Sequence, residues 1–313
     1  MIVRSAHVGF SVPDCEAALG TLYYPGSEAA VGDARLTGAV APETGHAPWP
    51  LAIILPGINV PPDSYRWLAH RMVELGMCAA TYAAIGSLGP AGTGLTPGMD
   101  MTALAPDVIG SRPSATAVLP LIDRLRKLEL VRDHIDFDHV VIGGHSAGGT
   151  VALHNSDPSW IPGLAAVFAY GAHTMTSTSL GHEEASVAKI PSRVPVLLLS
   201  GSNDEVIAAS RDRYRSDGHA HDPVGRTFSE GISRDNRDSW SVVLRDGNHF
   251  TMCDPIDESS GRSFLEPDLR ADDEDTRDLL VEVIEAFLDS PVDGATRLEE
   301  VVTHPGVATW DRR

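Results

Sequence analysis

The chain is short of cysteine, of long apolar runs and of positive charge. Three cysteines in 313 residues, Cys15, Cys78 and Cys253, are too few and too scattered for a disulfide framework. None forms the C-x-x-C spacing of a metal or redox site. The apolar runs, such as residues 51–55 and 194–199, have the length of strands rather than of membrane spans. Lys and Arg number 24 against 43 Asp and Glu, a net charge of −19, which argues against nucleic acid or an anionic membrane as a partner. No internal repeat is visible. Residues 1–7 lack the basic region and apolar block of a secretory leader, so a cytoplasmic location is the default expectation. A chain already trimmed of its leader would read alike.

With 42% hydrophobic residues at this length, the chain can bury a large core. Residues 1–48 read as an antiparallel edge with strands at 6–12, 20–24 and 34–40, followed by a linker at 42–48. From Trp49 onward strands and helices alternate. An apolar strand at 49–55 is stopped by Pro56-Gly57; a helix at 64–75 ends at Gly76; a strand follows at 77–83. Residues 84–113 are irregular. A helix is expected at 114–128 with Ser114 as its cap, then strands into Gly143, at 164–170, at 194–200 and at 240–244. Residues 211–239 read as a solvated polar excursion, 275–288 as the last helix and 289–313 as a polar tail. The pattern predicts an α/β fold: a mainly parallel twisted sheet with helices on both faces, an antiparallel N-terminal edge, and one domain over 1–313 with its core at about 49–288. Ligands are then expected at the carboxyl ends of the strands.

The stretch from Val140 to Leu153 holds Gly144, Ser146 and Gly148 in the order G-x-S-x-G, between a β-branched run and a helix-compatible one. With 29 glycines in the chain, about one serine in a hundred would be so flanked by chance, and the strand-turn-helix context is what gives the motif weight. Such a corner lifts a serine hydroxyl above the sheet edge and places the Ala147 N–H at a helix N-terminus, where it can stabilise an oxyanion. A serine needs a base, and the base needs a partner. Asp204 ends one later strand and His249 ends the next, so the expected catalytic set is Ser146, Asp204 and His249, with Glu205 as the competing acid. The second oxyanion donor is expected at Ile58, after Pro56-Gly57. Asn59, His145 and His173 are the candidate substrate-binding residues. His145 is most simply read as packing beside the corner and His173 as lining the pocket; His219 and His221 lie in polar sequence.

These residues resemble those of the α/β-hydrolase family over roughly 51–288. Pro56-Gly57-Ile58, Gly144-His145-Ser146-Ala147-Gly148-Gly149, Gly201-Ser202-Asn203-Asp204 and Gly247-Asn248-His249-Phe250 carry the resemblance. Leu22-Tyr23-Tyr24-Pro25, and the short span between Ser146 and Asp204, are similar to the branch of dienelactone hydrolases, chlorophyllases, platelet-activating-factor acetylhydrolases and cutinase-like polyester hydrolases. Ile58 stands where polyester hydrolases usually carry an aromatic and Ala147 where they often carry methionine, which speaks against polymer substrates. The resemblance implies a carboxylesterase-like serine hydrolase with no metal and no organic cofactor, acting on a small or medium apolar ester. Acyl transfer or cyclisation with the same residues is the alternative, and a non-catalytic binding module the third reading. Leu88, Leu95, Met99, Met101 and Leu104 make 84–113 a candidate apolar pocket wall, with 58–65, 170–179 and 211–239 as the others.

Overall fold

The apolar runs pair into one sheet. The computed structural model describes residues 2–27, 38, 40–89, 92–210, 222–233, 238–256, 273–289 and 295–313. Its strands are β1 (Ile2–Phe10), β2 (Cys15–Gly26), β3 (Trp49–Leu55), β4 (Cys78–Ser87), β5 (Thr93–Thr96), β6 (Ile135–His145), β7 (Leu164–Tyr170), β8 (Val196–Gly201), β9 (Trp240–Leu244) and β10 (Val307–Arg312). They lie in the order β1-β2-β4-β3-β6-β7-β8-β9-β10, with β5 pairing β4. From β4 to β9 all neighbours are parallel. β1, β2, β5 and β10 join antiparallel. The helices are α1 (Arg66–Glu74), α2 (Val118–Leu125), α3 (Ala147–His154), α4 (Glu205–Ala209), α5 (Pro223–Arg226), α6 (Asp273–Leu288) and α7 (Ala295–Val301).

The central strands are mainly apolar because both faces are covered; the exposed Asp138 and His139 of β6 lie near its amino end. In β3 the side chains alternate: Leu51, Ile53 and Leu55 enter a core with α2 and α3, while Ala52 and Ile54 enter a second core with α1, α6 and α7. Each fully buried Leu or Ile here contributes roughly 1.5–3 kcal/mol of transfer free energy. α1 buries Leu68, Ala69, Met72 and Val73, one stripe at helical spacing, and ends before Gly76 at φ +85°. Parallel connections carry every strand from β6 to β9 in the same direction, so their carboxyl ends form one rim.

Several expectations need correction. β4 runs to Ser87, and residues 84–113 hold β5 and a 3₁₀ turn at Met101–Leu104 rather than irregular chain. The segment is tied down: Tyr82 Oη donates to the Pro97 carbonyl at 2.6 Å, and Asn155 Oδ1 accepts from the Ser114 and Ala115 N–H groups. Ser114 therefore does not cap α2, which starts at Val118 behind Ala117, with no side-chain cap. Within 211–239, the described part buries Val224 and Phe228 in α5 and the following π turn, so it is not simply solvated. The C-terminal segment is no polar tail. Its described part folds as α7, a turn and β10, burying Leu298, Val301, Val302 and Val307 and extending the sheet beyond β9. The edge strand expected at 34–40 falls outside the described residues except at 38 and 40. No helix among the described residues is long and apolar enough to cross a membrane.

Candidate active site

Ser146 sits between β6 and α3 at φ 54°, ψ −122°, a conformation that a non-glycine residue adopts only when its surroundings hold it there. The surroundings are visible. Its N–H donates to the Tyr170 carbonyl at 2.9 Å, and its carbonyl accepts from Thr150 N–H at 3.0 Å. Glycines on either side allow the tight corner: a methyl on Gly144 would strike the Gly148 carbonyl, and one on Gly148 would strike the Leu55 carbonyl at the end of β3. The corner is therefore wedged against the β3 loop. A β-carbon placed at Gly57 would lie 3.3 Å from Ser146 Cβ.

His249, in the turn after β9, is nearly sealed from solvent, its side chain 2% exposed beside an Asp204 side chain 5% exposed. Asp204 follows β8 and caps α4, its Oδ1 accepting from Ile207 N–H at 2.8 Å. Both its carboxylate oxygens approach His249 Nδ1, at 3.0 and 2.9 Å. A carboxylate accepts, so Nδ1 bears the proton and Nε2 is left with its lone pair. That Nε2 is buried and has no hydrogen-bond partner among the described residues. No hydrogen bond links it to Ser146 Oγ among the described residues. Glu205, the competing acid, is exposed and opens α4 instead. The pair lies one residue from the serine's own anchor: a β-carbon on Gly171, which follows Tyr170 at φ +57°, would come within 3.0 Å of His249 Nδ1 and 3.1 Å of Asp204 Oδ2.

Ile58 and Ala147 are both partly exposed at this rim. Ala147 opens α3, where a helix leaves its first N–H groups without internal acceptors. Neither N–H has a backbone acceptor among the described residues. The three remaining candidates sit differently. Asn59, at φ 57°, braces the Ile58 loop against β5: its N–H donates to the Leu95 carbonyl and its Oδ1 accepts from Leu95 N–H, each at 3.0 Å. His173 is buried, its carbonyl accepting from Thr150 Oγ1 and its Nδ1 from Met175 N–H. His145 is wholly buried, so it has no surface to offer a substrate. Its Nδ1 lies 2.9 Å from Tyr65 Oη and its Nε2 2.9 Å from the His249 carbonyl oxygen.

Residues given no such role by their sequence pattern hold the loop of His249 in place. Tyr170 Oη donates to the Asn248 carbonyl at 2.6 Å, Asn248 Oδ1 accepts from Phe250 N–H, and Trp67 Nε1 donates to the Met252 carbonyl. Tyr65 and Tyr170 are completely buried, so the expected pocket walls at 58–65 and 170–179 are in part core. Their only signal in sequence is an aromatic at a strand or helix end, which core packing would also explain. Cys253, 3.7 Å from His145 Nδ1, is no rival nucleophile: burial pushes its thiol up to about 12, so it stays protonated. Of the apolar residues in 84–113, Leu104 is buried and Met101 is exposed. His219 and His221 lie outside the described residues. Among the described residues no cluster of His, Cys, Asp and Glu could hold a metal ion. No protein-family model and no curated protein matches the chain.

Proposed function

We propose that the protein is a serine hydrolase of the α/β-hydrolase kind that cleaves carboxylic esters through an acyl-enzyme. One observation carries the reading. Among the described residues a buried His–Asp pair leaves one imidazole nitrogen unsatisfied, at the same rim as a serine held in a strained strand-to-helix corner. Burial of an unsatisfied nitrogen costs stability, and a site that uses it as a base accounts for the cost.

In the mechanism, Ser146 Oγ attacks the ester carbonyl while His249 Nε2 takes its proton. Asp204 keeps the imidazole in the Nδ1–H tautomer and stabilises the imidazolium as it forms. The N–H groups of Ile58 and Ala147 receive the negative charge that develops on the carbonyl oxygen. His249 then returns the proton to the leaving alcohol, and water repeats the sequence on the acyl-enzyme. The serine–histidine contact must tighten for this, as catalytic hydrogen bonds commonly do once substrate is in place.

Labelling with a fluorophosphonate followed by peptide mapping tests activation and site together. The expected result is a single adduct on Ser146, hydrolysis of short p-nitrophenyl acyl esters, and loss of both in a folded Ser146→Ala protein. Ester hydrolysis that survives Ser146→Ala would end the proposal.

A further inference from the structure

The oxyanion loop and the base come from strands far apart in the sheet. β3 carries the first and β9 the second, with β6, β7 and β8 between them. Catalysis on the reading above requires the two to hold register with a serine on β6, and the structure joins all three by one buried chain of hydrogen bonds. Gly57 N–H donates to Tyr65 Oη at 2.9 Å. Tyr65 Oη lies 2.9 Å from His145 Nδ1, and His145 Nε2 lies 2.9 Å from the His249 carbonyl oxygen.

The direction of the chain follows from its ends. A backbone carbonyl can only accept, so His145 Nε2 carries the proton; in the neutral ring Nδ1 is then an acceptor, and the Tyr65 hydroxyl donates to it. Gly57 N–H donates to that oxygen, and the Cys253 thiol lies beside the junction, 3.7 Å from His145 Nδ1. Tyr65 and His145 have no exposure and His249 has 1%, so water cannot substitute for any link. Gly57 precedes the Ile58 amide, His145 precedes Ser146, and the last acceptor is the base's own backbone. The His145 and His249 rings lie 4.9 Å apart, with Phe250 against both.

We propose that Tyr65 and His145 are positioning residues. They pass no proton to substrate but hold the Ile58 N–H and the His249 imidazole in register with Ser146, and so set kcat rather than KM. The inference rests on the assignment of Ser146, Asp204 and His249 made above. Loss of register acts on groups engaged in the transition state, whereas ground-state binding of an ester depends on the pocket.

The test compares wild type, Tyr65→Phe, His145→Phe and His145→Gln. Each is checked for fold by circular dichroism and thermal melting, labelled with a fluorophosphonate, and assayed on a p-nitrophenyl acyl ester. Tyr65→Phe removes one oxygen and should lower kcat about tenfold. His145→Phe removes both links and should lower it roughly a hundredfold, with KM within about twofold in each case. His145→Gln, whose amide can donate to the His249 carbonyl and accept from Tyr65, should recover most of the loss. Folded Tyr65→Phe and His145→Phe proteins with wild-type kcat, a loss lying wholly in KM, or a Gln variant no better than Phe would each overturn the proposal. If His145→Phe does not fold, Tyr65→Phe decides. A wild type neither labelled at Ser146 nor active on the ester would remove the hydrolase reading and this inference together; a labelled, active wild type with unaffected variants removes the inference alone.

Discussion

Replacing Asp204 by Asn separates the chemistry of the site from its stability. The amide fits the same space, and its oxygen must face Ile207 N–H, which Asp204 Oδ1 accepts at 2.8 Å. The amide NH₂ then takes the Oδ2 position, 2.9 Å from His249 Nδ1. A donor there favours a bare Nδ1 and moves the ring proton to Nε2, where it blocks the serine. The charge is lost as well. An imidazolium and a carboxylate with centres about 4 Å apart attract by about 4 kcal/mol at an effective dielectric near 20. At about 1.4 kcal/mol per factor of ten, kcat should fall on the order of a thousandfold. Asn caps a helix about as well as Asp, so α4 should survive and the melting temperature should move little. The assay is steady-state hydrolysis of a p-nitrophenyl ester beside a thermal melt. A kcat within tenfold of wild type, or a loss matched by global unfolding, would refute the assignment of Asp204 as the partner of the base.

Two further outcomes follow from the geometry. Gly171→Ala places a β-carbon 3.0 Å from His249 Nδ1 at a φ of +57°, so the pair must shift and the backbone is strained by roughly 1–2 kcal/mol. Lower kcat together with a lower melting temperature is expected; an unchanged kcat would show that the pair tolerates displacement. His154, at the end of α3, is buried, its Nδ1 without a partner among the described residues, and burial first, then the nearby His182, lowers it to about 4. Its folded value lies below the unfolded one near 6.5, so the unfolded chain binds the proton first as pH falls. Stability present above pH 6.5 should therefore be lost between about pH 6.5 and 4, by at most about 3 kcal/mol. Urea unfolding across that range checks it: the wild-type curve should fall more steeply than that of His154→Leu, and equal slopes would exclude His154 as the source.

Some elements were legible because local sequence and burial agree. β7 and β9 occupy 164–170 and 240–244 as expected, since a strand covered on both faces is apolar along most of its length. The elements missed depend on distant partners. In β10, Trp310 is 47% exposed and Asp311 and Arg312 are polar; the strand forms because β9 presents a free edge and Trp240 packs beneath Trp310. β5 is Thr-Gly-Leu-Thr, too small and polar to announce itself, and is held by β4 and by Asn59. α2 starts late because Asn155, 40 residues away, binds the backbone at Ser114 and Ala115.

By itself the sequence determined the parallel succession of strands and the groups that each carboxyl end would offer: a serine flanked by glycines, an acid, then a histidine. These are properties of local spacing, because backbone strain at a corner and apolar periodicity act over a few residues. Only the tertiary structure decided that Asp204 rather than Glu205 meets His249, and that His145 turns inward to join Tyr65 and the His249 loop. Neighbouring residues on a chain differ in direction by how the next helix begins and which core receives them, and that depends on side chains contributed by strands a hundred residues away.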